Sequence, residues 1–231
     1  MDVIGRKLKC MTATASDAAA GFTLVEMLIV VAIFAIVATI LLFQYSNFNT
    51  TIAVRDLAQE IGLSIRKAQT YATSVRSVDG GGGILSDTFP AYGITFSTAT
   101  TAQKPYDPTA TSFTLFVDAS PTSDTRTNNQ FDNNDGTCGT PSVNDECIEQ
   151  FGITAGDTIQ SLAVTKNGVQ TTVPTVDVVF HRPNPDAVIC VPDGSPDCAS
   201  SIYDGLVITV VSPKGVTRTI MVWNTGAIDV N

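Results

Sequence analysis

The chain has 231 residues and a formal net charge of −9, with 44% hydrophobic and 7% aromatic residues. That length accommodates one membrane helix and one soluble domain of about 150 residues, and the acidic balance disfavours nucleic acid, whose phosphates call for Lys and Arg. The single histidine, His181, stands beside Arg182 and Pro183 with no recognisable serine or cysteine nucleophile motif, so composition points away from an enzyme.

Residues 1–21 read as a leader. Arg6, Lys7 and Lys9 stand against Asp2 and Asp17, a net +1 that leaves −10 for the remainder. The positive-inside rule keeps this end in the cytoplasm and places the C-terminal domain outside a cytoplasmic membrane crossed once. Residues 22–43 follow as a nearly unbroken apolar run, about 33 Å long as a helix and matched to a bilayer core of about 30 Å. Its anomaly is Glu26, because an ionised carboxylate in hydrocarbon costs at least ~2.5 kcal/mol and requires a partner. A cut between Gly21 and Phe22 creates that partner, an α-amine with an ordinary pKa of roughly 7.7 to 8, about one helical turn away. The same amine on a neighbouring helix would cancel both charges only in the right axial register. A secretory signal peptide has its cleavage site after the apolar run, whereas here the glycine precedes it.

The stretch GFTLVEMLIVVAIFAIVA, beginning at Gly21, resembles the N-terminal signal of type IV pilins and of the pseudopilins of type II secretion. The resemblance implies that a prepilin peptidase cuts after Gly21 and methylates the new N-terminal Phe22. It implies that Glu26 makes the charge and register contact of assembly, while residues 27–43 supply apolar packing that replaces lipid inside a filament. The implied partners are the lipid bilayer before assembly, other pilin or pseudopilin subunits, an inner-membrane platform protein and its ATPase. Two details depart from the family: the leader is longer and less basic than many, and the apolar half lacks the helix-kinking proline common in major pilins. The alternative is a single-span anchor carrying an adhesive or ligand-binding module, in which Gly21 and Glu26 have no role.

Residues 44–79 continue the helical period with an amphipathic pattern. Val54, Leu57, Ile61, Ile65, Ala68, Ala72 and Val75 recur in steps of three and four. No proline occurs from residue 22 to residue 89, so one helix of roughly 55 residues is allowed, with Gly62 as a close-packing point or a soft spot at about 1 kcal/mol. Gly80–Gly83 ends the helix as a linker. Residues 80–231 read as a β-rich globular domain with strands at 92–97, 112–118, 158–164, 173–180, 187–191, 206–211 and 216–223, the last two joined by a hairpin at Ser212–Gly215. The predicted fold is α+β, pilin-like: a long N-terminal helix, membrane-spanning in its first half, packed on a mainly antiparallel sheet.

The helix segment 54–78, the FTLFVD run at 113–118 and the closing GVTRTIMVWNTGAIDV resemble the H-type minor pseudopilins and their pilus counterparts, leaving 119–157 and 182–204 as insertions. Those insertions hold Cys138, Cys147, Cys190 and Cys198. An even number outside the membrane favours disulfides, with three connectivities open; the local pairs 138 with 147 and 190 with 198 are the simplest, and a four-thiolate zinc site competes. The acid-rich segment from 118 to 149 is densest at DNNDG, where Asp132, Asn134 and Asp135 offer hard oxygens for calcium without matching EF-hand spacing. No other cofactor is expected. The N-terminal reading carries a direct consequence: Gly21→Glu should leave the protein at precursor size on an immunoblot, and a mature-size band would refute the site.

Overall fold

Helix α1 (Leu24–Thr73) runs for 50 residues, in keeping with the absence of proline. The computed structural model describes residues 21–74, 90–118, 128–133, 136–139, 146–192, 198 and 203–231. Val75 and the Gly80–Gly83 linker lie outside them. The chain divides between Tyr45 and Ser46 into two compact units. In the first, Leu24–Leu42 is long and apolar enough to cross a membrane, and none of it is buried by the chain itself.

The second unit contains ten strands in two sheets. Strands β1 (Ala91–Ser97), β2 (Ser112–Asp118), β3 (Cys147–Gly152), β6 (Thr175–Phe180) and β7 (Ala187–Cys190) form the first, in the order β3-β2-β1-β6-β7. Strands β4 (Thr158–Lys166), β5 (Val169–Val173), β8 (Gly205–Val211), β9 (Thr217–Trp223) and β10 (Ile228–Val230) form the second, in the order β10-β9-β8-β4-β5. Every neighbouring pair is antiparallel. The α+β class expected from sequence is therefore present, with two sheets in place of the one anticipated.

Three local readings change. The run 173–180 is two strands in different sheets, divided at Pro174, which has no N–H for a ladder and whose carbonyl accepts from the Thr98 amide at 2.9 Å. Strand β5 was not anticipated, although Asn167-Gly168 marks its hairpin: both residues have positive φ, 51° and 78°, as a two-residue turn of matching twist requires. Strand β3 lies inside the stretch 119–157 read as an insertion, yet it pairs with β2 along the sheet edge.

One apolar core joins α1 to the inner faces of both sheets. From α1 come Val54, Leu57, Ala58, Ile61, Ile65, Ala68 and Ala72, the stripe read from sequence with Ala58 added. The first sheet contributes alternate residues such as Tyr92, Ile94 and Phe96, and the second Leu206, Ile208 and Val210. In β4 the alternation is reset by a bulge between Ile159 and Ser161, so that Leu162 and Val164 still point inward. Gly62 is a close-packing point: a Cβ there would lie 2.9 Å from Cγ2 of Val230.

The outer face of the first sheet is small and polar along β1 and β6, with Gly93, Thr95, Ser97, Thr175 and Asp177. It is covered in turn, because every residue of β1 is buried. Over Gly93 lies the ring of its cross-strand partner Phe116, which packs on Phe131 at a centroid distance of 5.4 Å. A Cβ at residue 93 would sit 2.6 Å from Cζ of Phe116 and 2.9 Å from the Val178 carbonyl oxygen, leaving no direction for relief. Gly93→Ala should therefore destabilise the folded domain by about 1 to 3 kcal/mol, measured as a fall in the urea midpoint; an unchanged midpoint would show that Phe116 moves freely.

Candidate processing and assembly site

At the start of α1 the local structure follows from one tetrapeptide. Thr23 precedes the helix; its Oγ1 accepts from the Glu26 amide at 3.2 Å, and its carbonyl accepts from the Met27 amide at 3.2 Å. Thr23 is thus an N-cap, and T-x-x-E spacing places Glu26 at the third helical position, where a carboxylate favours the positive end of the helix dipole. This capping pattern, Thr23 followed three residues later by Glu26, is legible in the sequence and gives Glu26 a local structural role at the helix start.

Gly21, Phe22 and Glu26 are brought together on the first turn and its approach, all exposed. Nothing in the fold requires glycine at 21, since a Cβ there would meet no atom within 4 Å. Phe22 is 79% exposed and Phe34 72%, so among the described residues of the first unit the apolar surface is uncovered. Burying such side chains stabilises by about 1.5 to 3 kcal/mol each. Lipid or other protein must supply that cover.

In the second unit the structure joins Cys138 to Cys147 and Cys190 to Cys198, the two local pairs among the alternatives. Of the three calcium candidates, Asn134 and Asp135 lie outside the described residues. Asp132 accepts from Asn128 Nδ2 at 2.9 Å. Among the described residues no group of three His, Cys, Asp or Glu side chains is placed to hold a metal ion.

Asp132 belongs to a segment held by Asp118 of β2, Asp177 of β6 and Glu146, which precedes β3. Asp118, at the end of β2, accepts from the amides of Asn128 at 3.2 Å and Asn129 at 2.8 Å. Asp177 of β6 accepts from the Phe131 amide at 3.1 Å, and Glu146 from the Asp132 amide at 2.9 Å. Asn129 donates through Nδ2 to the Cys198 carbonyl at 2.8 Å. Its Oδ1 therefore faces His181 Nε2 at 2.5 Å as acceptor, with the imidazole as donor. His181 thus sits at a strand end in a structural hydrogen bond, and burial lowers its pKa.

Burial also raises the Asp118 pKa to about 7, against the lowering effect of the Asn129 and Asn128 amides, with the charges of Asp132 and Asp177 adding to the rise. Burial likewise raises Asp177 to about 7, opposed by hydrogen bonds from Thr95 and Phe131 and assisted by Asp132. Sequence reading could not find this group, because Asp118 and Asp177, far apart in the chain, share one face of the sheet only through the pairing of β2 and β6 on either side of β1.

Comparison with known proteins finds a match at the N-terminus. Residues 17–42 match the family model described as the prokaryotic N-terminal methylation motif. No curated protein and no solved structure matches the chain. The matched stretch contains Gly21, Phe22 and Glu26 and indicates a pilin-like or pseudopilin substrate of the prepilin peptidase.

The buried acids carry their own consequence for pH. With folded-state pKa values raised from 3.8 to about 7, Asp118 and Asp177 hold protons in the folded state that the unfolded state has released. Their contribution is fully present below about pH 4 and is lost as pH rises through 7, on the order of a few kcal/mol. Asp177→Asn should flatten the fall in melting temperature between pH 4 and pH 8; an unchanged slope would mean that Asp177 titrates normally.

Proposed function

We propose that this chain is a structural, non-enzymatic subunit of a type IV pilus or a type II secretion pseudopilus. It is cleaved after Gly21, methylated on Phe22 and assembled through its N-terminal helix. The observation that carries the proposal is the methylation-motif match over residues 17–42, which includes the scissile glycine and Glu26. The uncovered apolar surface of Leu24–Leu42 supports it, because a helix of that kind exchanges lipid for neighbouring helices without exposing hydrocarbon to water. An exposed Gly21 that its own fold does not require fits a residue demanded by an external peptidase.

The leader stays cytoplasmic and the two-sheet domain lies outside the membrane, where its disulfides form under oxidising conditions. A cytoplasmic ATPase and a polytopic platform protein drive assembly. Within the class, the H-type minor pseudopilin is the reading that the sequence patterns at 54–78, 113–118 and 215–230 support. Glu26 neutralises the α-amine of a neighbouring subunit and so fixes the axial register.

Intact-mass analysis of the membrane-associated protein from its native host should give a chain that starts at methylated Phe22. A chain that retains its leader in cells with active peptidase would refute the proposal. Glu26→Ala should still be cleaved but should enter sheared filaments at least tenfold less than wild type; normal incorporation would refute the register contact and favour a plain membrane anchor.

A further inference from the structure

A cavity of about 250 Å³ opens on the outer face of the first sheet. Its floor is built by two paired strands: Thr95 lies opposite Asp177 and Ser97 opposite Thr175, so three hydroxyls and one carboxylate point the same way. Its walls include Gln103, Pro108 and Phe131. Asp177 is 1% exposed; its carboxylate is hydrogen-bonded by the Thr95 hydroxyl and, at Oδ2, by the Phe131 amide, whereas Oδ1 has no hydrogen-bond partner among the described residues. An unsatisfied buried carboxylate oxygen costs on the order of 1 to 3 kcal/mol or more. Such a group at the floor of a cavity marks a site that lacks its donor.

We propose that this cavity binds a primary ammonium group on a short aliphatic stem, of the lysine side-chain type, with Asp177 Oδ1 as counter-ion and the Thr95 and Thr175 hydroxyl oxygens as further acceptors; Ser97 Oγ is already taken up by the Ala99 amide at 3.1 Å and the Thr175 hydroxyl at 3.4 Å. An ammonium carries three donors and no acceptor, which matches one carboxylate oxygen and hydroxyl oxygens around it. The cavity far exceeds the ~10–15 Å³ that one water needs, and the ring of Phe131 and the face of Pro108 suit methylenes behind the charge. A bare metal ion finds a poorer fit, because no three acidic, histidine or cysteine side chains among the described residues converge. Nearby Lys104 does not fill the role: its Nζ donates to the Asn133 carbonyl at 2.6 Å. Asp107, also in the wall, accepts from the Lys104 amide and from Asn133 Nδ2, and adds negative potential near the cavity. The site is independent of the filament reading, since it uses no residue of α1.

The test is ligand-observed saturation-transfer NMR on the full chain in detergent micelles at pH 8, with N-α-acetyl-lysine amide as the probe and N-α-acetyl-norleucine amide as the uncharged control. Saturable binding of the lysine probe is expected, without binding of the control. Asp177→Asn should weaken the lysine probe at least tenfold, and Thr175→Val, which leaves the buried acid in place, should weaken it severalfold. Both variants are compared with wild type by thermal melting, so that loss of fold is seen separately. Equal binding of the norleucine control, or wild-type affinity in a folded Asp177→Asn protein, would overturn the proposal. So would calcium chloride binding saturably to the wild type while neither the lysine probe nor n-butylammonium binds. Binding of n-butylammonium as tightly as the lysine probe would support a free amine as the ligand; preference for the lysine probe would support a polypeptide side chain.

Discussion

The apolar surface of Leu24–Leu42 is uncovered among the described residues of its own unit. That single constraint orders the rest of the N-terminal half. A helix with hydrocarbon all round is stable in lipid or among similar helices, and the exchange between those two environments costs little because both are apolar. Glu26 is the one charged residue in the first turn of this helix. In hydrocarbon a lone carboxylate is unfavourable, so the helix is best satisfied where an opposite charge meets it, and the proposed cleavage before Phe22 would create such a charge. Thr23 holds the Glu26 amide and fixes where the carboxylate starts from.

The second unit solves a different problem. Its sheets share one core with the amphipathic part of α1, and the apolar stripe on the helix sets which face turns inward. The first sheet then has a second face to protect. Gly93 admits the Phe116 ring, Phe131 closes over it, and Asp118, Asp177 and Glu146 hold the backbone amides of the covering segment. Acids serve as these anchors because a carboxylate accepts several amides at once. The arrangement crowds like charges in a buried place, which is why burial and mutual repulsion push two of the carboxyls toward neutrality.

The parts of the fold that sequence reading reached are those governed by local periodicity. The α1 stripe, the strand within 216–223 and the Ser212–Gly215 hairpin all follow from spacing of neighbours along the chain. Strand β5 and the break at Pro174 were also legible, since Asn167-Gly168 and a proline inside a β run are local signals; they were outweighed by the apparent continuity of 173–180. Strand β3 was hidden because CIEQFG lies on a sheet edge among polar residues and shows only weak alternation.

The sequence by itself carries the methylation motif over residues 17–42, a linear segment that contains Gly21, Phe22 and Glu26. It also kept the disulfide choice to three connectivities, from which the fold selected the two local pairs. Only the tertiary structure decided that there are two sheets, that Asp118 and Asp177 act on one covering segment, and that Thr95, Ser97, Thr175 and Asp177 floor one cavity. The reason is physical: periodicity along a strand reports which face a residue takes, whereas strand order and register decide which distant residues share that face.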